Sequence, residues 1–170
     1  MNADDLRALQ GPLKEQYKTA PDAALITLTA KGDLDSDDVV CRVETGRQLV
    51  EAGLHPATGG SGAFACSGNM LLEALAACAG VTLKAVSTAI GFQLKGGSVS
   101  VEGDLDFRGT LGVAKDAPVG FRDIRLSFHL DTDEPQDRID QLVKLTERYC
   151  VVFQTLAKPP QLGLSIQRQG

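Results

Sequence analysis

Two stretches of strict alternation dominate the pattern of apolar and polar positions. Over 98–108, Val99, Val101, Leu105 and Phe107 alternate with Ser98, Ser100, Glu102, Asp104, Asp106 and Arg108. Over 123–131, Ile124, Leu126, Phe128 and Leu130 alternate with Asp123, Arg125, Ser127, His129 and Asp131. A period of two predicts strands with one buried and one wet face, as in an antiparallel sheet. The Gly- and Pro-containing stretch 109–122 joins the two. Residues 24–30 and 37–45 also read as strands, the second with Val39, Cys41 and Val43 on one face. Gly46 starts a turn, and 47–50 returns as a further strand. Leu162, Leu164 and Ile166 alternate in a last strand.

Helical spacing fills the rest. Residues 3–18 carry Leu6, Leu9, Leu13 and Tyr17 at helical intervals, with Pro12 predicting two pieces. Pro21-Asp22 breaks that pattern. Residues 69–90 read as one long helix, with Ser67 or Asn69 to cap its start and Gly91 to close its end. On a wheel, Leu71, Leu75, Cys78 and Thr82 share one side. Glu73 lies about 140° from Cys78, so Cys78 is expected to face packed structure. The many Ala and Gly residues predict close approach by neighbours. A second helix starts near Pro135 and places Ile139, Leu142, Val143, Thr146 and Cys150 along one side, until Pro159-Pro160 ends it. The loop 53–68, rich in Gly, Ala and Ser, precedes the long helix. The order predicts an α+β fold, a curved antiparallel sheet packed on central helices.

Composition narrows the classes. The 170 residues suit one domain, and 43% hydrophobic residues exclude disorder of the whole chain. A net charge of −5, no Trp and 5% aromatics argue against nucleic-acid binding. Residues 1–10 have no apolar run, so no export signal is expected there. The most apolar stretch, 70–83, is short for a membrane span and carries Glu73. A reducing cytoplasm is the expected compartment, and thiols there are more often buried, catalytic or redox-sensing than bridged.

The four cysteines, Cys41, Cys66, Cys78 and Cys150, form no Cys-x-x-Cys pair, which disfavours a zinc ribbon or thioredoxin motif. Cys78 and Cys150 both fall on helices and face inward. Two readings stay open for them. They are ordinary buried cysteines, or one thiolate attacks a peroxide O–O bond and the other condenses with the resulting sulfenic acid. Cys41 is expected in the core and Cys66 as an inert loop residue. His55 is expected to be solvated or locally hydrogen-bonded, and His129 to lie on the surface. No metal-ligand spacing is recognised, and the glycines 59, 60 and 62 lack the Lys and Ser/Thr of a phosphate loop.

The segments SGNMLLEALAACAGVTL (67–83) and ERYCVVFQTL (147–156) resemble the two cysteine-bearing helices of the OsmC/Ohr family, named for osmotically inducible and organic hydroperoxide resistance proteins. The resemblance covers roughly 22–168 and leaves 1–21 as an N-terminal helical extension to a domain at 22–170. It implies an OsmC-like fold and an interlocked homodimer with sites at the subunit interface. It also implies a peroxidatic role for Cys78 and a resolving role for Cys150, with no cofactor or metal. The implied activity is reduction of organic hydroperoxides to alcohols in an antioxidant, oxidative-stress role. An external dithiol, such as a lipoyl protein, would restore the thiols, and neither nucleic acid nor membrane is an expected partner.

Three positions depart from the family pattern. Gly68 and Asn69 stand where a glutamate is usual, and Val151 follows the second cysteine where proline is usual. No arginine lies in the loop before the long helix, which leaves Arg42 and Arg47 as candidates to hold the thiolate. The alternative function is an OsmC-like small-molecule-binding or stress-associated domain with weak or no peroxidase activity.

Overall fold

A computed structural model describes residues 2–20, 32–33, 40–44, 49–112 and 114–168. The expected strand over 24–30, the Pro21-Asp22 break and Arg47 lie outside the described residues, as do the side chains of Cys41 and Arg42. The chain runs through helix α1 (Ala3–Thr19), strands β1 (Gly32–Asp33), β2 (Val40–Glu44) and β3 (Leu49–Gly53), and a 3-10 turn at Pro56–Thr58. Helix α2 (Ser67–Ile90), β4 (Gly96–Leu105), α3 (Phe107–Thr110), β5 (Phe121–Asp131), α4 (Gln136–Tyr149) and α5 (Val151–Ala157) follow. The strands form two antiparallel sheets, β1-β2-β3 and β4-β5. This is the α+β architecture that the alternation predicted.

Helix α1 is one run, not two pieces, with Pro12 inside it. Its start is fixed reciprocally. The Asn2 side chain accepts the Asp5 amide at 2.8 Å, and the Asp5 carboxylate accepts the Asn2 amide at 3.1 Å.

Helix α2 is the organising element and packs against α1, β4, α4 and α5. Its N-cap is Cys66, without a side-chain capping bond, rather than Ser67 or Asn69. Gly91 ends it at φ 65°, a left-handed conformation that glycine adopts without a Cβ penalty. The buried stripe is Leu75, Ala79, Leu83 and Ser87, one step of four at a time. Leu71, expected beside Leu75, is exposed. Small residues do permit close approach: a Cβ on Gly80 would lie 3.4 Å from Val99 Cγ1 of β4.

The β4–β5 hairpin lays its apolar face on α2, with Val99 opposite Phe128 and Val101 opposite Leu126. Gly103 leaves room for the Phe121 ring, which a Cβ there would meet at 2.5 Å. Strand β4 stops three residues short of the expected end. The Asp106 carboxylate accepts the Arg108 amide at 3.2 Å and starts α3, so Phe107 is helical. On the wet face, Arg125 pairs with Asp104, Asp123 and Glu102.

Among the described residues the core lies in two clusters along α2. Leu75, Ala79 and Cys150 form one, bounded by Val101, Leu126 and Phe153 among others. Leu83, Phe92 and Leu142 form the second. The second long helical region is interrupted at Cys150, whose extended backbone (φ −73°, ψ 108°) ends α4 and caps α5. The expected strand over 162–166 is absent. Residues 159–168 have no regular structure, and Leu162, Leu164 and Ile166 are 94%, 93% and 86% exposed. An alternating segment becomes a strand only when it pairs with a neighbouring edge, and residues 159–168 pair with none of the described strands.

Candidate functional site

Cys78 lies on α2 one turn after the buried Leu75, and Cys150 lies at the α4–α5 break. The fold brings these two thiols together, 72 residues apart in sequence, in one packed cluster where each acts on the other's ionisation. Both are free thiols, as is Cys66. The break at Cys150 explains the contact. It leaves the first amides of α5 without intrahelical acceptors, and those amides turn toward sulfur.

The electrostatics separate the pair. Burial pushes the Cys78 thiol up, but four donors outweigh it: the Val152 amide, the Cys150 side chain, the Val151 amide and the Thr82 hydroxyl. Together they hold Cys78 below the ordinary thiol value. Cys150 moves the other way. Burial raises it, the Phe153 amide opposes, and the neighbouring Cys78, as hydrogen-bond partner and as charge, raises it further. When the pair loses a proton, it therefore leaves Cys78 before Cys150.

Val151 acquires a specific meaning here. Proline at this position has no N–H, whereas Val151 donates one to Cys78. The groups that act most on Cys78 are two amides, a thiol and a hydroxyl, none of them a cation. Thr82 shares the helix side of Cys78 one turn on, a placement legible in the sequence although its role was not.

The other candidates lie elsewhere. Glu73 is exposed and borders a separate surface hollow with Asn69, Leu72 and Val101. Cys66 caps α2 twelve residues before Cys78, about 18 Å along the axis. His55 Nδ1 accepts the Ala57 amide at 3.0 Å, and its ring stacks on Phe107 at 4.8 Å. His129 is exposed on the wet face of β5. Among the described residues, no three His, Cys, Asp or Glu side chains gather as metal ligands would.

A long helix under an antiparallel hairpin, with paired thiols where it meets a helix break, places the chain in a known group. The family of OsmC-like proteins matches residues 60–165, and this chain belongs to it. Solved structures agree in fold. The OsmC-like protein of Mycoplasma pneumoniae superposes with a TM-score of 0.65 at 16% identity, covering 79% of this chain and 89% of that one. An organic hydroperoxide resistance protein OsmC from Legionella pneumophila gives 0.61 at 18% identity, covering 79% and 91%. An organic hydroperoxide resistance protein of Elizabethkingia anophelis gives 0.58 at 14% identity, covering 79% and 91%. A search of curated proteins finds no match.

Proposed function

We propose that this protein is a thiol-dependent peroxidase that reduces organic hydroperoxides to alcohols. The observation that carries the proposal is the contact of Cys78 with Cys150, one thiol favoured as thiolate and the other as thiol. The Cys78 thiolate attacks one oxygen of the hydroperoxide. An S–O bond forms, the O–O bond breaks, and the alkoxide leaves as the alcohol after taking a proton. Cys150 then attacks the sulfur of the sulfenic acid, closing a disulfide and expelling water. An external dithiol, such as a lipoyl protein, returns two electrons and two protons. The chemistry needs no metal or cofactor. It suits a reducing cytoplasm and involves neither nucleic acid nor membrane.

The working unit is a homodimer in this reading, with residues 22–170 as the domain and 1–21 as an extension. Helix α2 supports it. It is long and apolar enough to cross a membrane by length and composition, yet only 22% of its most apolar window is buried within one chain. Val81 is 71% exposed on it. A second copy is the simplest cover for that face.

The test counts thiols before and after one equivalent of an organic hydroperoxide. Two thiols disappear in the wild type and none through this route in Cys78→Ser. In Cys150→Ser the sulfenic acid persists and is trapped by dimedone. Retention of all thiols in the wild type sinks the proposal. It would favour instead an OsmC-like small-molecule-binding or stress-associated domain, the reading to which Gly68 and Asn69 in place of a glutamate point.

A further inference from the structure

We propose that Gln154 is a positioning residue for Cys78: its side chain takes the Glu147 carbonyl and so holds open the helix break that frees the Val151 amide for the thiol. The inference rests on the peroxidase reading for its purpose, since it concerns how the attacking thiol is prepared.

In an uninterrupted helix the Val151 N–H would bond to the Glu147 carbonyl, four residues back. The residue types do not forbid that. Val151, unlike proline, keeps its N–H and has no ring to clash with that carbonyl. Yet the ladder stops at this step. The Cys150 amide still reaches the Thr146 carbonyl at 2.9 Å, and the ladder resumes with the Gln154 amide on the Cys150 carbonyl at 2.9 Å. Among the described residues, no backbone bond joins Val151 to Glu147. The Gln154 side chain donates to the Glu147 carbonyl instead, from Nε2 at 2.9 Å. One amide has replaced another on the same acceptor, so the end of α4 keeps its carbonyl satisfied without the Val151 N–H.

The rest of the break agrees. Thr146, 1% exposed, donates its hydroxyl to the Leu142 carbonyl at 2.8 Å, a back-bond that bends the last turn of α4. Val152, Phe153 and Leu156 pack with Cys78 against Leu75, Ala79 and Cys150, which sets the first turn of α5 beside the thiols. The Val151 and Val152 amides released there act on Cys78. Gln154 works through the backbone, because its own bond is to Glu147. Proline at 151, usual in the family, would keep the ladder open by itself. With valine in that place, another residue has to prevent closure.

The experiment is a double-mutant cycle between Gln154→Met and Val151→Pro in the full chain, read by the iodoacetamide alkylation rate of Cys78 across pH with peptide mapping. Methionine keeps the length of the half-buried side chain and removes its donor. In the wild-type background Gln154→Met lowers the rate at neutral pH about fivefold, the loss of one ordinary hydrogen bond, and moves the midpoint of the pH profile up. In the Val151→Pro background, where there is no N–H to release, it changes nothing further. An unchanged rate and midpoint in Gln154→Met overturns the proposal. So does a fall of equal size in both backgrounds, which would make Gln154 a packing residue only. Should the methionine variant not fold, Gln154→Ala is read in the same way. Turnover of cumene hydroperoxide should fall by the same factor as alkylation. If the wild type consumes none, the peroxidase reading has failed, and the alkylation cycle still decides about Gln154.

Discussion

Replacing Val151 by proline installs the residue usual in the family and should nevertheless weaken this protein's thiolate. The substitution is clean in the backbone. Residue 151 is the first position of α5, where proline's fixed φ is already helical, and Cys150 before it has the extended conformation that a following proline requires. What disappears is one N–H directed at Cys78. A hydrogen bond to a charged group contributes about 1.5–3 kcal/mol, and with the Val152 amide, Cys150 and Thr82 still in place the lower end applies. About 1.5 kcal/mol corresponds to roughly a tenfold fall in thiolate at neutral pH. The assay is the iodoacetamide alkylation rate of Cys78, followed by mass spectrometry, with Val151→Ala as the control that keeps the amide. Equal rates in the proline and alanine variants would refute the amide's role.

Three further outcomes are expected. Cys78 has the depressed value of the pair, so its alkylation persists below the pH at which an ordinary thiol becomes unreactive and fades only as pH falls through that depressed value, while Cys150 labels last; a peptide map across pH that shows Cys150 labelling first would contradict this. Gly103→Ala forces the Phe121 ring aside and should cost about 1–3 kcal/mol, with much of it recovered in Gly103→Ala/Phe121→Leu; thermal melts of the two variants measure it. Asp106 is held at about 2 by its hydrogen bonds to Arg108, so the α3 cap keeps its charge until the pH approaches that value and its stabilising effect is lost below it; amide exchange at Arg108 as a function of pH reports the loss.

The hairpin was legible because period-two alternation has one physical meaning on a half-buried sheet. Its irregularity was not. Asp104 faces Asp123 but Leu105 faces Phe121, so Arg122 is the extra residue of a bulge. The bulge changes only which face Arg122 and Asp123 take, and both are polar, so the pattern hides the insertion. The β4 end was misread for a related reason: Phe107 continues the alternation, while Asp106 supplies a cap that wins locally. The break at Cys150 was concealed because no Gly or Pro marks it and apolar residues run on through Val151, Val152 and Phe153. Cys78 and Cys150 were reachable through their flanking residues. The donors around them were not, since backbone amides are the same for every residue type except proline. The tail at 162–166 carries a strand pattern but pairs with no strand among the described residues.

The meeting of Cys78 with Cys150 has a consequence for heat resistance. A bond between the two sulfurs would close a ring of about 72 residues around the whole hairpin and α4, removing about 4 kcal/mol of chain entropy from the unfolded ensemble. Each turnover would then toggle the melting temperature, so that a calorimeter could follow the oxidant exposure of the protein without any substrate being measured.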